Sequence, residues 1–154
     1  MGKPITKEGY DRAKSKLIEL EAEFETLPSI IAEAREKGDL KENAEYHAAK
    51  EKQGLLNAQI SKLKNDLASS EIIDPEKLDK DTITFGKRVK VKDKNTNSIV
   101  EYKILGELEA DITKNEITIA TPVAKGLLGK KVGDVVTIKV PAGDKVLEVL
   151  DINL

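Results

Sequence analysis

The sequence has no cysteine and no tryptophan, and aromatic side chains make up only 3% of its 154 residues. Without cysteine, a disulfide framework, a thiolate metal site and thiol redox chemistry are excluded. The scarcity of aromatic residues argues against one large globular core. It favours an elongated helical part joined to a small packed part.

The chain also lacks long apolar runs and a strong excess of charge of one sign. No stretch is long enough to cross a membrane, and the opening residues MGKPITKEGYDRAK contain no apolar segment of signal-peptide type. We therefore expect a soluble, cytoplasmic protein with no membrane contact. Charged residues make up 35% of the sequence, yet the net charge is only −2, which argues against broad electrostatic binding to nucleic acid.

Between residues 6 and 37, apolar positions alternate at spacings of three and four, which predicts a long coiled-coil helix. Thr6 is the predicted N-cap. Pro28 lies inside the pattern, but the heptad phase continues past it, so we expect a bend and not the end of the helix. The seam positions are Tyr10, Ala13, Leu17, Leu20, Phe24, Leu27, Ile31 and Ala34.

The heptad pattern resumes after Gly38 and predicts a second helix. Two such helices joined by a short glycine-containing turn form an antiparallel coiled-coil hairpin, with residues 38–43 at its tip. An arm of about 30 residues would be ~45 Å long. The second seam consists of Tyr46, Ala49, Gln53, Leu56, Ile60, Leu63 and Leu67.

Beyond Pro75, which ends any helix at that point, the apolar period changes to two. This change predicts an α+β protein of two domains, with the hairpin in residues 1–75 and a small α+β domain in residues 76–154. The predicted strands are 82–93, 98–106, 116–120, 134–140 and 145–152, with a short helix within 121–130.

The stretch GDLKENAEYHAAK, residues 38–50, places Asp39 and Glu42 at the expected tip. One interpretation is a capping box, with Asp39 as the N-cap of the second helix and Glu42 at its third position. The other is a metal site, because carboxylates three residues apart at a helix start can point the same way and Mg²⁺ prefers oxygen ligands. The interpretations are compatible, and the pattern alone leaves both open.

Two long segments carry a resemblance that extends over essentially the whole chain. Residues 31–54, IAEAREKGDLKENAEYHAAKEKQG, and residues 121–134, TPVAKGLLGKKVGD, are similar to the two signature regions of the GreA/GreB family of bacterial transcript cleavage factors. The sequence resembles GreA more closely than GreB, whose arm carries a larger basic patch.

The resemblance implies a transcription elongation factor that is not an enzyme by itself. Such factors bind RNA polymerase, insert the coiled coil into its secondary channel and stimulate the polymerase's own Mg²⁺-dependent cleavage of backtracked RNA, which rescues arrested complexes. Asp39 and Glu42 match the tip acids that help to hold a second Mg²⁺ jointly with the polymerase, and no stable binding of metal by the factor alone is implied. The partners are then RNA polymerase and the 3′ end of the nascent RNA, and we expect a monomer.

Further site residues follow from the same resemblance. Arg35 and Lys50 match a small basic patch that contacts RNA, although either side chain could equally lie on a solvated helix face. Two other candidate residues do not depend on the resemblance. Asn43 either supports the turn of the tip or bonds to the partner, and the sequence leaves both open. Tyr46 is expected to be a seam residue that supports the tip, with a contact to RNA or the polymerase as the alternative.

The resemblance further implies an FKBP-like C-terminal domain that docks on the polymerase. Pro122 matches a docking position, whereas Ala120 departs from the polar or acidic residue usual two places before it. A prolyl isomerase is disfavoured, because that activity needs an aromatic-lined pocket and this half contains only Phe85 and Tyr102 as aromatic residues.

Two other functions without catalysis remain as alternatives. A relative that occupies the same channel and inhibits transcription would have an altered tip, whereas GDLKEN matches the active pattern. A holdase with a coiled-coil arm would have an apolar tip, whereas this one is acidic.

Overall fold

The structure is a computed structural model that describes residues 2–38 and 43–154, so the predicted tip acids Asp39 and Glu42 lie outside the described residues. Tertiary contacts divide the chain into two compact units. One is Asp11–Ser69, and the other combines Met1–Tyr10 with Ser70–Leu154. The predicted division at residue 75 followed the change of apolar period, whereas the compact units also group the first residues of the chain with the second half.

Two long helices confirm the predicted hairpin. Helix α1 spans Lys7–Glu36 and helix α2 spans Ala44–Ala68. Thr6 caps α1 as predicted, because its hydroxyl accepts from the Gly9 N–H at 3.1 Å and its carbonyl accepts from the Tyr10 N–H at 2.9 Å. Pro28 lies inside α1 without ending it.

The heptad seam buries the facing sides of α1 and α2. Four leucine and isoleucine side chains form a buried cluster, with further apolar seam residues packed against it. The buried members are Leu20, Leu27, Leu56 and Ile60, and the packed ones are Leu17, Phe24, Ile31 and Leu63. This confirms the seam, and burial of these side chains supplies most of the attraction between the helices.

Three surface ion pairs link α2 to α1 or to the residue that directly follows α1. They show that the helices are antiparallel, because residues with higher numbers in α2 pair with residues that have lower numbers in or just after α1. These pairs are Lys37–Glu45 at 3.4 Å, Lys52–Glu23 at 2.7 Å and Lys64–Glu21 at 3.4 Å. All the side chains are well exposed, so each pair contributes about 0–1 kcal/mol.

The other unit contains seven strands and one short helix among its described residues. The strands are β1 Lys3–Ile5, β2 Ser70–Ile72, β3 Arg88–Asp93, β4 Ser98–Leu105, β5 Glu116–Thr118, β6 Val135–Val140 and β7 Gly143–Asn153, and the helix is α3 Pro122–Leu127. β1 and β2 pair in parallel, and the other strands form one sheet in the order β5-β4-β3-β7-β6. In that sheet only the β4–β5 pair is parallel. Together with the hairpin, this is the predicted two-domain α+β architecture.

The core of this unit lies between the sheet and α3. Alternate residues of the central strands point into it, including Val89 and Val91 of β3. α3 approaches the sheet closely at Gly126, where an added Cβ would lie 2.7 Å from Ile138 Cγ1. The remaining buried members are Ile83, Ile104, Ala124, Leu127, Val136, Leu147 and Val149.

A buried carboxylate fixes the start of the chain within this unit. Glu109 is only 7% exposed, and its Oε2 accepts from the Thr6 N–H at 2.9 Å and the Gly106 N–H at 3.0 Å. The Thr6 hydroxyl donates to the other carboxylate oxygen. Charge-assisted bonds of this kind are stronger than neutral ones, so Glu109 holds the segment that leads into α1.

Two parts of the strand prediction differ from the structure. The segment predicted as a strand from residue 82 becomes regular only at Arg88, because Gly86 adopts φ +83° in a turn and Thr82 forms an isolated bridge. The short parallel pair β1–β2 was not predicted, since three-residue strands carry too few residues for a periodic pattern.

Candidate functional site at the end of the hairpin

Asn43 joins the ends of the two helices beside the predicted tip. Its side-chain oxygen accepts from the Tyr46 N–H at 3.0 Å, and its amide donates to the Ala34 carbonyl in the last turn of α1. Asn43 is therefore the N-cap of α2, which corrects the prediction that Asp39 has this role. The amide–carbonyl bond also shows why asparagine fits here better than aspartate, which can cap a helix but has no donor when ionised.

Arg35 and Tyr46 come together across the hairpin. The guanidinium carbon of Arg35 lies 5.7 Å from the centroid of the Tyr46 ring, which is within the range of a cation–π contact. The ring of Tyr46 also meets that of His47 edge to face at 5.5 Å. Tyr46 is half-buried, as expected of a seam residue. Its cation–π contact therefore holds the Arg35 guanidinium close to the predicted tip.

The second predicted RNA-contacting residue, Lys50, lies on the exposed side of α2. Its ammonium donates to the Gln53 side chain at 3.4 Å, within the same helix. Within the described part of the hairpin, Lys50 and Arg35 have different partners and no contact joins them in one cluster. The basic patch therefore stays a prediction for both residues.

The sequence reasoning missed an apolar groove between α1 and α2 near the same end. It has a volume of about 380 Å³. Alanines on the facing turns, Ala34 and Ala49, leave the space, and Ile30 borders it while 47% exposed. The short seam side chains were a visible signal, since small residues in a heptad seam pack less fully than leucine.

The expected metal ligands cannot be placed, because Asp39 and Glu42 both lie outside the described residues. Within residues 2–38 and 43–154, no group of three or more histidine, cysteine or acidic side chains is arranged to hold a metal ion. One acidic pKa shift occurs far along the chain from the tip. The Thr113 hydroxyl and N–H donate to Asp111 and hold the pKa of its carboxyl below the ordinary 3.8.

Pro122, the predicted docking residue, is the exposed first residue of α3 in the other compact unit. Thr121 caps this helix, and its hydroxyl accepts from the Ala124 N–H at 3.3 Å. A proline at the first helical position is common for structural reasons alone, because its missing N–H would have no helical partner there. The ring of Pro122 is exposed, and its role in docking stays a prediction.

No described helix combines the length and the apolar character that crossing a membrane requires. This agrees with the absence of long apolar runs in the sequence.

Comparison with known proteins places the chain among transcription factors. Residues 78–154 match the family model "Transcription elongation factor, GreA/GreB, C-term", and residues 3–72 match "Transcription elongation factor, N-terminal". A transcription elongation factor GreA of Rickettsia bellii is 47% identical over 97% of this chain and 94% of the relative. One of Thermodesulfovibrio yellowstonii is 43% identical over 97% of this chain and 96% of the relative.

Two solved structures are also similar. GreA factor homolog 1 of Thermus thermophilus is 26% identical, with both chains covered at 100% and a TM-score of 0.47. A transcription elongation factor GreA/GreB from Nitrosomonas europaea is 16% identical, covers 100% and 99% of the two chains, and has a TM-score of 0.45. These scores are low, and the fold assignment depends on the helices and strands described above. The sequence matches show that the chain belongs to the GreA/GreB family of transcription elongation factors.

Proposed function

We propose that this protein is a transcript cleavage factor of RNA polymerase. In this proposal the hairpin enters the secondary channel, and the acidic pair Asp39 and Glu42 completes the polymerase's own hydrolytic site on backtracked RNA. The protein supplies ligands and positioning, while the polymerase supplies the catalytic centre. A factor of this kind works in the cytoplasm, where transcription takes place.

The observation that carries the proposal is the Asn43 arrangement beside the sequence GDLKEN. Asn43 bonds to the last turn of α1 and to the first turn of α2, and it directly follows the segment of the sequence that contains the two acids. Helix α2 alone has 25 residues and is ~37 Å long, so the hairpin is an extended element that could enter a channel. The cation–π pair of Arg35 and Tyr46 adds a positive group near the same end.

The donor set fits magnesium, although its geometry lies outside the described residues. Mg²⁺ takes oxygen ligands and commonly keeps several waters beside one or two carboxylates. A second Mg²⁺, held jointly with the polymerase, would supply electrostatic stabilisation and water activation for hydrolysis of an RNA phosphodiester. Asp39 and Glu42 would bind such an ion weakly by themselves, because two carboxylates fill only part of its coordination shell.

The decisive test is the double substitution Asp39→Asn with Glu42→Gln. The cap of α2 is Asn43, so we expect the free energy of unfolding to change by less than about 0.5 kcal/mol. Stimulation of RNA cleavage in stalled polymerase complexes should fall by two orders of magnitude or more, on the scale seen when a group that acts on the transition state is removed. Competition with the wild-type protein for the channel should persist.

A matched control neutralises two exposed acids near the hairpin end, Glu36→Gln with Glu51→Gln. The change of charge is the same, so this variant should keep its cleavage stimulation. If the Asp39/Glu42 variant were fully active, the acids would have no role in hydrolysis. If the wild type bound the channel but never stimulated cleavage, the protein would be a channel-binding inhibitor instead.

A further inference from the structure

A small pocket lies at the edge of the five-stranded sheet, inside the unit that contains the β strands. Its volume is about 290 Å³. The lining combines two lysines and a glutamate with apolar side chains from the end of β7. These residues are Glu76, Lys80, Lys87, Ile152, Asn153 and Leu154.

Strand pairing and one close packing contact create this pocket. Arg88 at the start of β3 is paired with Asn153 at the end of β7, which brings the preceding residue, Lys87, beside the end of the chain. On the other side, an added Cβ on Gly86 would lie only 2.2 Å from Pro75 Cγ. The short helical turn Pro75–Lys77, which carries Glu76, therefore packs directly against the turn before Lys87.

Lys87 is the unusual member of this lining. Only 2% of its surface is exposed, whereas Lys80 lies on the exterior. Its backbone is fixed, since its N–H donates to the Thr84 carbonyl and its carbonyl accepts from the Ile104 N–H, both at 3.2 Å. Across residues 2–38 and 43–154, no hydrogen bond or ion pair joins its ammonium group to another residue. The ammonium nitrogen is not fully enclosed, because Thr84 Oγ1 alone among the described side-chain atoms is both enclosed and without a partner.

An ammonium group on a largely buried side chain keeps little water around it, so pairing with an anion is favourable. Glu76 lines the same pocket but does not form an ion pair with Lys87. A bound anion would supply the missing partner. The pocket therefore has both the space for a ligand and an energetic reason to accept a negative one.

We propose that this pocket binds a small organic phosphate, with Lys87 as the principal ligand and Lys80 as a second cation at the rim. A phosphate monoester carries a charge of about −1.5 to −2 at neutral pH, which suits two ammonium groups better than a single carboxylate does. Lysine is a compact point charge that commonly binds phosphate oxygens. The apolar side chains of Ile152 and Leu154 suit the organic part of the ligand.

The test is a titration of the intact protein with methyl phosphate, inorganic phosphate and acetate at constant ionic strength. Amide NMR signals of residues 86–88 and 152–153 report binding. Both phosphates should give saturable shifts at these positions, and acetate should not. Saturation by acetate at equal or lower concentration would overturn the assignment to phosphate.

Three variants test the residues. Lys87→Met should weaken methyl phosphate binding by about 10- to 100-fold, the equivalent of losing one charge-assisted hydrogen bond. Lys139→Met, at an exposed position on β6, is the matched control and should bind as the wild type does. Glu76→Gln should tighten binding, because it removes a carboxylate that lines the pocket and repels an anionic ligand.

Folding of the Lys87 variant has its own check. Methionine keeps the buried apolar part of the side chain and removes a charge that has no ionic partner, so Lys87→Met should unfold at the same or a higher temperature than the wild type in phosphate-free buffer. Methyl phosphate should raise the unfolding temperature of the wild type only. If Lys87→Met retained wild-type affinity, or if Glu76→Gln bound no more tightly, the proposal would be wrong.

Discussion

At the scale of single residues, Asn43 shows how one side chain can perform two tasks. Its oxygen satisfies an N–H in the first turn of α2, and its amide satisfies a carbonyl in the last turn of α1. A capping box read from sequence considers only the first of these tasks. The sequence therefore identified a helix start in the right region and offered Asp39 as its cap in one of two open interpretations. The bond from Asn43 to Ala34 could not be foreseen, because it exists only once the helices face each other.

This arrangement predicts a graded response to substitution at Asn43. Asn43→Ser keeps a capping oxygen and loses the amide donor, which should cost about 1 kcal/mol of unfolding free energy. Asn43→Ala loses both, which should cost about 2 kcal/mol. Urea unfolding, together with hydrogen exchange of the first amides of α2, measures the difference.

Asn57→Ala is the matched control for that series. Asn57 is exposed in the middle of α2, so its substitution should be neutral or slightly stabilising. Equal stability of the alanine and serine variants at Asn43 would show that its capping oxygen contributes nothing.

At the scale of elements, glycine has opposite roles in the two long helices. Gly9 in the first turns of α1 lies against Glu109, and an added Cβ would be 2.2 Å from Oε1 and 2.8 Å from the Glu109 Cβ. Gly54 in α2 has no atom within 4 Å of an added Cβ. The helix pattern in the sequence treats both simply as weak helix formers, whereas packing makes only Gly9 necessary.

The two glycines therefore predict changes of opposite sign. Gly54→Ala should stabilise the protein by about 0.5–1 kcal/mol, because alanine loses less conformational entropy in a helix. Gly9→Ala should destabilise it by about 1–2 kcal/mol, since Glu109 is held by three hydrogen bonds and cannot easily move away. Thermal unfolding of both variants compares them directly, and stabilisation by Gly9→Ala would contradict the contact.

At the scale of the whole molecule, the chain divides into a helical unit and a β-rich unit that also includes the first residues. Each unit has its own buried cluster, so each is stabilised mainly by its own apolar contacts. The described residues hold no assembled metal cluster. In the proposed function, this division separates docking, which the β-rich unit carries out, from delivery of the tip acids by the hairpin.

An accessory role predicts the behaviour of the purified protein with RNA. With Mg²⁺ but without polymerase, we expect no cleavage, because the two carboxylates lack the polymerase's own metal ion and the RNA path that the polymerase supplies. Stalled polymerase complexes should release short RNA much faster when the protein is added, and a chelator should stop this release. Gel analysis of end-labelled RNA measures both, and cleavage by the protein alone would make it an enzyme in its own right.

The sequence by itself determined the hairpin, the α+β class and the family. Heptad spacing, alternating apolar residues and the stretch GDLKEN are local patterns, and each is set by neighbours within about two helical turns or one strand. These signals do not depend on how distant parts of the chain meet.

Only the tertiary structure decided which distant groups meet. The bond from Asn43 to Ala34, the contact of Arg35 with Tyr46 and the enclosure of Lys87 beside the end of β7 all join residues whose closeness follows from packing or strand register. A buried lysine and an exposed lysine look the same in a sequence. The physical difference is the loss of water around one of them, and the fold alone causes that loss.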